Sequence, residues 1–197
     1  MITAIESPTK VPPADSSVVE IYQEFAIGKA ASYSDDDFQC QLWIAALGGE
    51  IGEIANLCKK WLGHGHELDI AKLSDELGDT FWYVACLCEL VELDFADFVE
   101  KRRRVSLPAS VGITVDSLAL ILHAQASQGV MASVATYLAS VDAGDILYSS
   151  LQRITAALCA LAKVHDLTID EVLVSNIEKL NARYPGGFSV DRSINRV

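Results

Sequence analysis

The chain has 197 residues, of which 51% are hydrophobic, and its formal net charge is -12 with an isoelectric point near 4.6. This length and apolar content suffice for one sizeable core, or for two small halves that share one. The acidic balance argues against a nucleic-acid polymer or an anionic membrane as the main partner, because both bind preferentially to lysine and arginine. A phosphorylated ligand would need a metal ion as intermediary.

The first residues, "MITAIESPTKVPPADSS", lack the basic start and the apolar run of a signal peptide. Every apolar run is interrupted by charges, so none is expected to span a bilayer. Four of the five cysteines, Cys58, Cys86, Cys88 and Cys159, fall inside apolar helical runs without C-x-x-C spacing. They are typical of small core residues in a reducing compartment, and we expect a cytoplasmic protein.

Helical spacing of apolar positions begins near Ser17, after a Pro- and Ser-rich stretch. The pattern predicts a first helix over 17–33 and a second that follows the acidic cap "SDDD" and runs to about Leu62. "GHGH" ends it with two glycines. A third helix is predicted from about Asp69 to Val91, and a fourth from about Asp94 to the linker "LPASVG".

Three more helical segments follow the linker, over 117–139, 144–165 and 168–185. No segment shows the alternating pattern of a strand, so the predicted class is all-α. The predicted organisation has four parts: a flexible tail at 1–17, a helical unit at 18–105, a linker at 106–114 and a second helical unit at 115–197.

The two helical units resemble each other when the first is shifted by 74 positions. Leu77 then falls on Leu151, Leu87 on Leu161 and Phe98 on Val172, which suggests an internal duplication. Helices also match one another by period alone, so the repeat is a hypothesis. In this alignment four acidic residues of the first unit, Glu50, Glu53, Glu76 and Asp79, fall on Ala124, Ser127, Ser150 and Arg153 of the second unit.

Two stretches of the first unit carry paired carboxylates at helical spacing. "GGEIGEIANL" contains Glu50 and Glu53, and "LSDELGDTFWY" contains Glu76 and Asp79. Residues three apart on a helix are neighbours on one face, and here that face also carries the apolar stripe. Antiparallel helices joined through "GHGH" would bring both pairs into one cleft.

A divalent cation would make four converging carboxylates tolerable, because unpaired they would be expected to protonate. All-oxygen ligands favour Mg²⁺, with Mn²⁺ as the second choice. Two other interpretations compete with this one. The acids could lie on solvated helix faces, or they could belong to a di-iron bundle, although no histidine follows any of them by three residues as that site requires.

The E-x-x-E and E-x-x-D pairs, with Tyr83 close behind, resemble the signature of MazG-type all-α nucleoside triphosphate pyrophosphohydrolases, a superfamily that includes dimeric dUTPases and dCTP-cleaving enzymes. The resemblance covers Ala46 to about Arg104, and "NIEKLNARYPGGFS" looks like the closing segment of such proteins. The chain departs from the common form because that segment comes only after the second unit. The resemblance therefore implies a tandem of two units packed as an internal pseudo-dimer around a MazG-like four-helix bundle.

Similarity to this family implies Mg²⁺-dependent cleavage of a nucleoside triphosphate to a monophosphate and pyrophosphate, as in the removal of non-standard or surplus nucleotides. Glu50, Glu53, Glu76 and Asp79 would bind the metal, and Glu50 or Glu53 would accept a proton from water. Two basic pairs compete for the pyrophosphate: Lys179 with Arg183, and Lys101 with Arg104.

Aromatic residues near the acids are candidates for contact with the base or phosphate. Trp61 and, as the weaker candidate, Trp82 could stack on a base, although tryptophans in helical bundles more often lie in the core. Tyr83 lies one helical turn after Asp79, within reach of phosphate. The competing hypothesis for the whole chain is a catalytically silent scaffold that keeps the acids for a structural ion. In either case we expect a homodimer.

Overall fold

The computed structural model describes residues 3–4, 17–33, 35–103, 113–137 and 144–194, and the predicted all-α class is confirmed. The helices of these residues are α1 (Val18–Lys29), α2 (Asp36–His64), α3 (Ile70–Leu90), α4 (Phe95–Arg103), α5 (Ile113–Tyr137), α6 (Gly144–Val164), α7 (Ile169–Arg183) and α8 (Val190–Ile194). Two short strands, β1 (Thr3–Ala4) and β2 (Ala31–Ser32), pair antiparallel. Most of the predicted tail and linker lies outside the described residues.

Side-chain caps fix the starts of the helices that build the first unit. Ser17 accepts a hydrogen bond from the backbone of Glu20, whose carboxylate accepts one from the Ser17 backbone, so α1 begins with a capping box. Asp35 and Asp69 cap α2 and α3 in the same way with one carboxylate oxygen each. Gly65, at a φ of 72°, ends α2 in the left-handed conformation that glycine favours.

The helices share one core, to which both predicted units contribute. Helix α2 packs against α3 and α5, α5 packs against α6, and α1 lies across α3, α4 and α7. Tyr22, Phe81, Phe95, Met131 and Leu151 are among the largest side chains buried in it. The units are therefore not separated by a solvated interface, and the division at 105 and 115 stays a prediction.

The shift of 74 positions extends to details that helical period does not require. Helix α6 begins and ends 74 residues after α3, and α7 begins 74 residues after α4. Glu92 and Asp166, also 74 apart, both have positive φ angles, of 55° and 57°. The next residue in each loop donates its N–H to the matching carbonyl of the preceding helix, at 2.8 Å and 2.9 Å. These shared loops support the duplication hypothesis.

One helix near the end of each predicted unit packs on the other unit. Helix α4 of the first unit lies against α6, and α7 of the second unit lies against α3. This exchange places the closing segment "NIEKLNARYPGGFS" beside the acidic residues of the first unit, far from it in sequence. It gives a structural reason for the position of that segment after the second unit.

The cysteines Cys58, Cys86, Cys88 and Cys159 are buried and, like the half-buried Cys40, form no disulfide. Within the described ranges, no helix is both long and apolar enough to cross a membrane.

Candidate metal centre and nucleotide cleft

Three carboxylates from the α2–α3 hairpin converge at one point. One oxygen each of Glu50, Glu76 and Asp79 lies within 4.8 Å of the others, and all three side chains are half-buried. Glu50 comes from α2, while Glu76 and Asp79 lie one turn apart on α3. The packing of α2 on α3 that the sequence predicts thus brings Glu50 of the first acidic pair beside both members of the second.

Glu53 is not part of this group of three, and its predicted inward position is wrong, because its side chain is exposed. Residues three apart on an α-helix differ in direction by about 60°, so Glu53 points to the solvent edge when Glu50 points at α3. Its charge still contributes to raising the pKa values of Glu50 and Glu76. Its predicted metal and catalytic roles stay predictions.

Two side chains of helix α7, a lysine ammonium and an asparagine amide, contact the acids. The ammonium of Lys179 lies 2.5 Å from Oδ1 of Asp75 and 2.7 Å from Oδ1 of Asp79. Asn176, which is buried, donates from Nδ2 to the same Asp79 oxygen at 2.8 Å. Lys179 is predicted to bind pyrophosphate, and the structure places its positive charge directly beside the candidate metal ligands.

Burial and mutual repulsion change the acidity of the cluster. Burial, followed by the charges of Asp79 and Glu76, raises the pKa of Glu50 from 4.5 to about 7, against the opposing effect of Lys179. Burial and the charge of Asp79 also raise the pKa of Glu76. The folded protein therefore disfavours full ionisation of these groups, and a divalent cation would relieve the repulsion.

A cleft adjoins the acids and is built by α1, α2, α3, α7 and the residues that follow α7. Its lining includes aromatic rings as well as acidic and basic side chains. Its lining consists of Lys29, Glu50, Asp79, Trp82, Tyr83, Leu180, Arg183, Tyr184 and Phe188. A lining that combines carboxylates, basic groups and aromatic rings suits a ligand that carries phosphates at one end and a planar ring at the other.

The remaining predicted contact residues take different positions. Tyr83 and Arg183 line the cleft, whereas Trp61 is absent from the lining and packs edge-on against the ring of His165 at 5.6 Å between centroids. Lys101 is exposed on α4, with its ammonium 2.5 Å from Asp97. Arg104 lies outside the described residues. Of the two basic pairs, the structure places Lys179 and Arg183 at the acids and the cleft.

Lys29 is a cleft residue for which the sequence makes no prediction. It reaches the cleft from the last turn of α1, where its ammonium donates to the carbonyl of Tyr184 at 2.8 Å. Tyr184 and Phe188 belong to the closing segment "NIEKLNARYPGGFS", and Trp82 is the weaker of the two tryptophan candidates for contact with the base. Lys29 and Asp75 have no local signal, because their roles depend on contacts with distant segments.

Residues 38–104 match a family model, described as the MazG nucleotide pyrophosphohydrolase domain. This segment is a MazG-like domain. The resemblance inferred from the acidic pairs is thereby confirmed, and the MazG domain indicates nucleotide pyrophosphohydrolase activity at the level of the family. The matched segment contains Glu50, Glu76, Asp79 and Tyr83, but it ends before Asn176, Lys179 and Arg183. No curated protein and no solved structure matches the chain.

The donor set of the MazG domain fits a divalent cation. Three carboxylate oxygens within 4.8 Å of one another are hard ligands of the kind that Mg²⁺ and Mn²⁺ bind. Burial, and after it the charges of Asp79 and Glu76, raises the pKa of Glu50, and a bound cation would offset both effects.

Proposed function

We propose that the protein is a Mg²⁺-dependent nucleoside triphosphate pyrophosphohydrolase, which converts its substrate to a nucleoside monophosphate and pyrophosphate in nucleotide-pool housecleaning. The observation that supports this most strongly is the convergence of Glu50, Glu76 and Asp79 inside a MazG domain. The adjoining cleft supports it further, because its lining combines acidic, basic and aromatic side chains, which suit a metal-bound triphosphate, its phosphates and its base.

Glu50, Glu76 and Asp79 would hold the metal, with Glu53 at the solvent edge as a further candidate. When bound, the metal supplies Lewis-acid stabilisation of the charge that develops on the phosphates. Glu50 is proposed to accept the proton of the attacking water, because its carboxylate lies beside those of Glu76 and Asp79. Glu53 stays the alternative base.

Lys179 and Arg183 lie four residues apart on α7 and would bind the phosphates. Arg183 faces the cleft, and Lys179 already contacts the acids against which the phosphates would lie. Tyr83 and Trp82 on α3, with Tyr184 and Phe188 from the closing segment, would enclose the sugar and the base. These contacts would orient the bond between the α and β phosphates for in-line attack.

The second unit is proposed to be a degenerate copy that completes the site of the first. Its positions equivalent to Glu50 and Asp79 are Ala124 and Arg153, which cannot form an acidic centre. Its helix α7 nevertheless carries Asn176 and Lys179, which contact Asp79. The chain would thus contain one active centre within an internal pseudo-dimer.

The experiment that tests this function measures pyrophosphate released from a panel of standard and modified nucleoside triphosphates with Mg²⁺. We expect release that EDTA abolishes and that Asp79→Asn reduces by at least about 100-fold, since a metal ligand is lost. Asp97→Asn is the matched control, because the side chain of Asp97 is exposed and pairs with Lys101 on the surface of α4. Normal metal binding without release from any substrate would instead favour a catalytically silent scaffold.

A further inference from the structure

A hydrogen-bond chain links a fully buried tyrosine on α1 to the acidic centre. Tyr22 is 0% exposed, and its hydroxyl donates to Oδ1 of Asn176 at 2.7 Å. The amide of Asn176 then donates from Nδ2 to Oδ1 of Asp79 at 2.8 Å. The hydrogen bonds thereby connect α1, through Asn176 on α7, to the Asp79 carboxylate on α3.

The direction of this chain is fixed by the chemistry of its ends. An ionised Asp79 only accepts hydrogen bonds, so the Asn176 amide must present its N–H₂ to it and its oxygen to Tyr22. The phenol must then be the donor. The carbonyl of Gly78 lies farther from the same hydroxyl, at 3.3 Å, which makes it the weaker acceptor.

Close packing of α7 on α3 holds Asn176 in place. A Cβ atom added at Gly78 would lie 2.9 Å from Cβ of Asn176 and 3.1 Å from its Nδ2, so only glycine permits this approach. The amide has little freedom to turn, because Asn176 is only 2% exposed and both ends of its side chain are bonded. Such a fixed donor restricts the rotation of the Asp79 carboxylate.

We propose that Tyr22 and Asn176 are positioning residues that orient the Asp79 carboxylate for a divalent cation and so set the metal affinity of the site. This inference rests on the proposed function, since it takes Asp79 as a metal ligand. The bonds from Asn176 and Lys179 both reach Oδ1 of Asp79, and they leave the second oxygen of the carboxylate for a cation. Residues that orient metal ligands typically change metal affinity or activity by about 10–100-fold when they are removed.

The test is Mn²⁺ binding to the full chain, measured from the electron paramagnetic resonance signal of the free ion. Tyr22→Phe keeps the buried ring and deletes only the hydroxyl, and we expect it to weaken Mn²⁺ binding about tenfold. Asn176→Ala should weaken binding at least as much. If Tyr22 acts through Asn176, the double variant should bind no more weakly than Asn176→Ala alone. Tyr33→Phe, at a half-buried tyrosine away from the cleft, should bind as the unmodified protein does.

Activity and stability separate positioning from a merely structural role. In Tyr22→Phe the Mg²⁺ concentration for half-maximal pyrophosphate release should rise about tenfold, while saturating Mg²⁺ restores the rate. A lowered melting temperature with unchanged Mn²⁺ affinity would overturn the inference, and so would additive effects in the double variant. Failure of the unmodified chain to bind Mn²⁺ would instead remove the proposed function and, with it, this inference.

Discussion

Glu50 is the residue whose environment departs most clearly from that of an ordinary surface acid. Its pKa of about 7 lies above the unfolded value near 4.5, so the folded state binds the proton more tightly. Its contribution to stability is therefore fully present below about pH 4.5 and is lost as the pH rises through about 7. The loss belongs to the metal-free protein, because a bound cation would stabilise the ionised form.

Glu50→Gln should consequently stabilise the metal-free protein at pH 8 and leave its stability unchanged at pH 4.5. After allowance for solvent screening of this half-buried group, we expect a gain of about 1 kcal/mol, or roughly 2–4 °C in melting temperature. Thermal unfolding in EDTA at both pH values checks this. If Glu50→Gln changed the melting temperature by the same amount at pH 4.5 and at pH 8, the raised pKa of Glu50 would be contradicted.

Arg183 provides a test of the phosphate-binding face, because it is exposed and its removal should not disturb the core. Arg183→Ala should lower kcat/KM for pyrophosphate release by about 10–100-fold, which corresponds to the loss of a hydrogen bond to a charged group. The melting temperature should hardly change. Arg153→Ala, at an exposed position of α6, is the control, and equal kinetics of the two variants would exclude the predicted role of Arg183.

At the level of helices, the approach of α7 to α3 assembles the site from two distant segments. Gly78→Ala would force a Cβ to within 2.9 Å of Asn176, and such overpacking costs about 1–3 kcal/mol. We expect a melting temperature several degrees lower and weakened activity. Gly129→Ala on α5 meets no atom within 4 Å and should be neutral or stabilising. Equal melting temperatures for both variants would show that α7 does not depend on Gly78.

The elements that the sequence predicted well are those with local signals. Caps at Ser17, Asp35 and Asp69 mark helix starts, and the spacing of Glu50, Glu76 and Asp79 follows from single helices. Helix α8 and the β1–β2 pair were missed, because two to five residues are too short to show a period.

Other parts of the site depend on how the helices are rotated and packed. Glu53 faces solvent and Trp82, rather than Trp61, lines the cleft. Asn176 appeared in the quoted closing segment but received no role, since its partners Tyr22 and Asp79 lie 154 and 97 residues away in sequence. No local pattern specifies such a contact.

The stability of the whole molecule should respond to divalent cations, because the proposed metal centre exists only in the folded state. A cation at about 100 times its dissociation constant stabilises a protein by about 2.7 kcal/mol, or roughly 5–10 °C at this chain length. Mg²⁺ should therefore raise the melting temperature at pH 8, and EDTA should reverse the effect. Asp79→Asn should lose most of this increment while Asp97→Asn keeps it. An equal increment in both variants would place the cation elsewhere.

The central claim is that Glu50, Glu76 and Asp79 hold divalent cations that receive a polyphosphate. Calorimetric titration with α,β-methylene nucleoside triphosphates tests it most directly. These analogues cannot be cleaved between the α and β phosphates. The account predicts binding in Mg²⁺ that disappears in EDTA and in Asp79→Asn. Binding of the same strength in EDTA, or in Asp79→Asn, would contradict it.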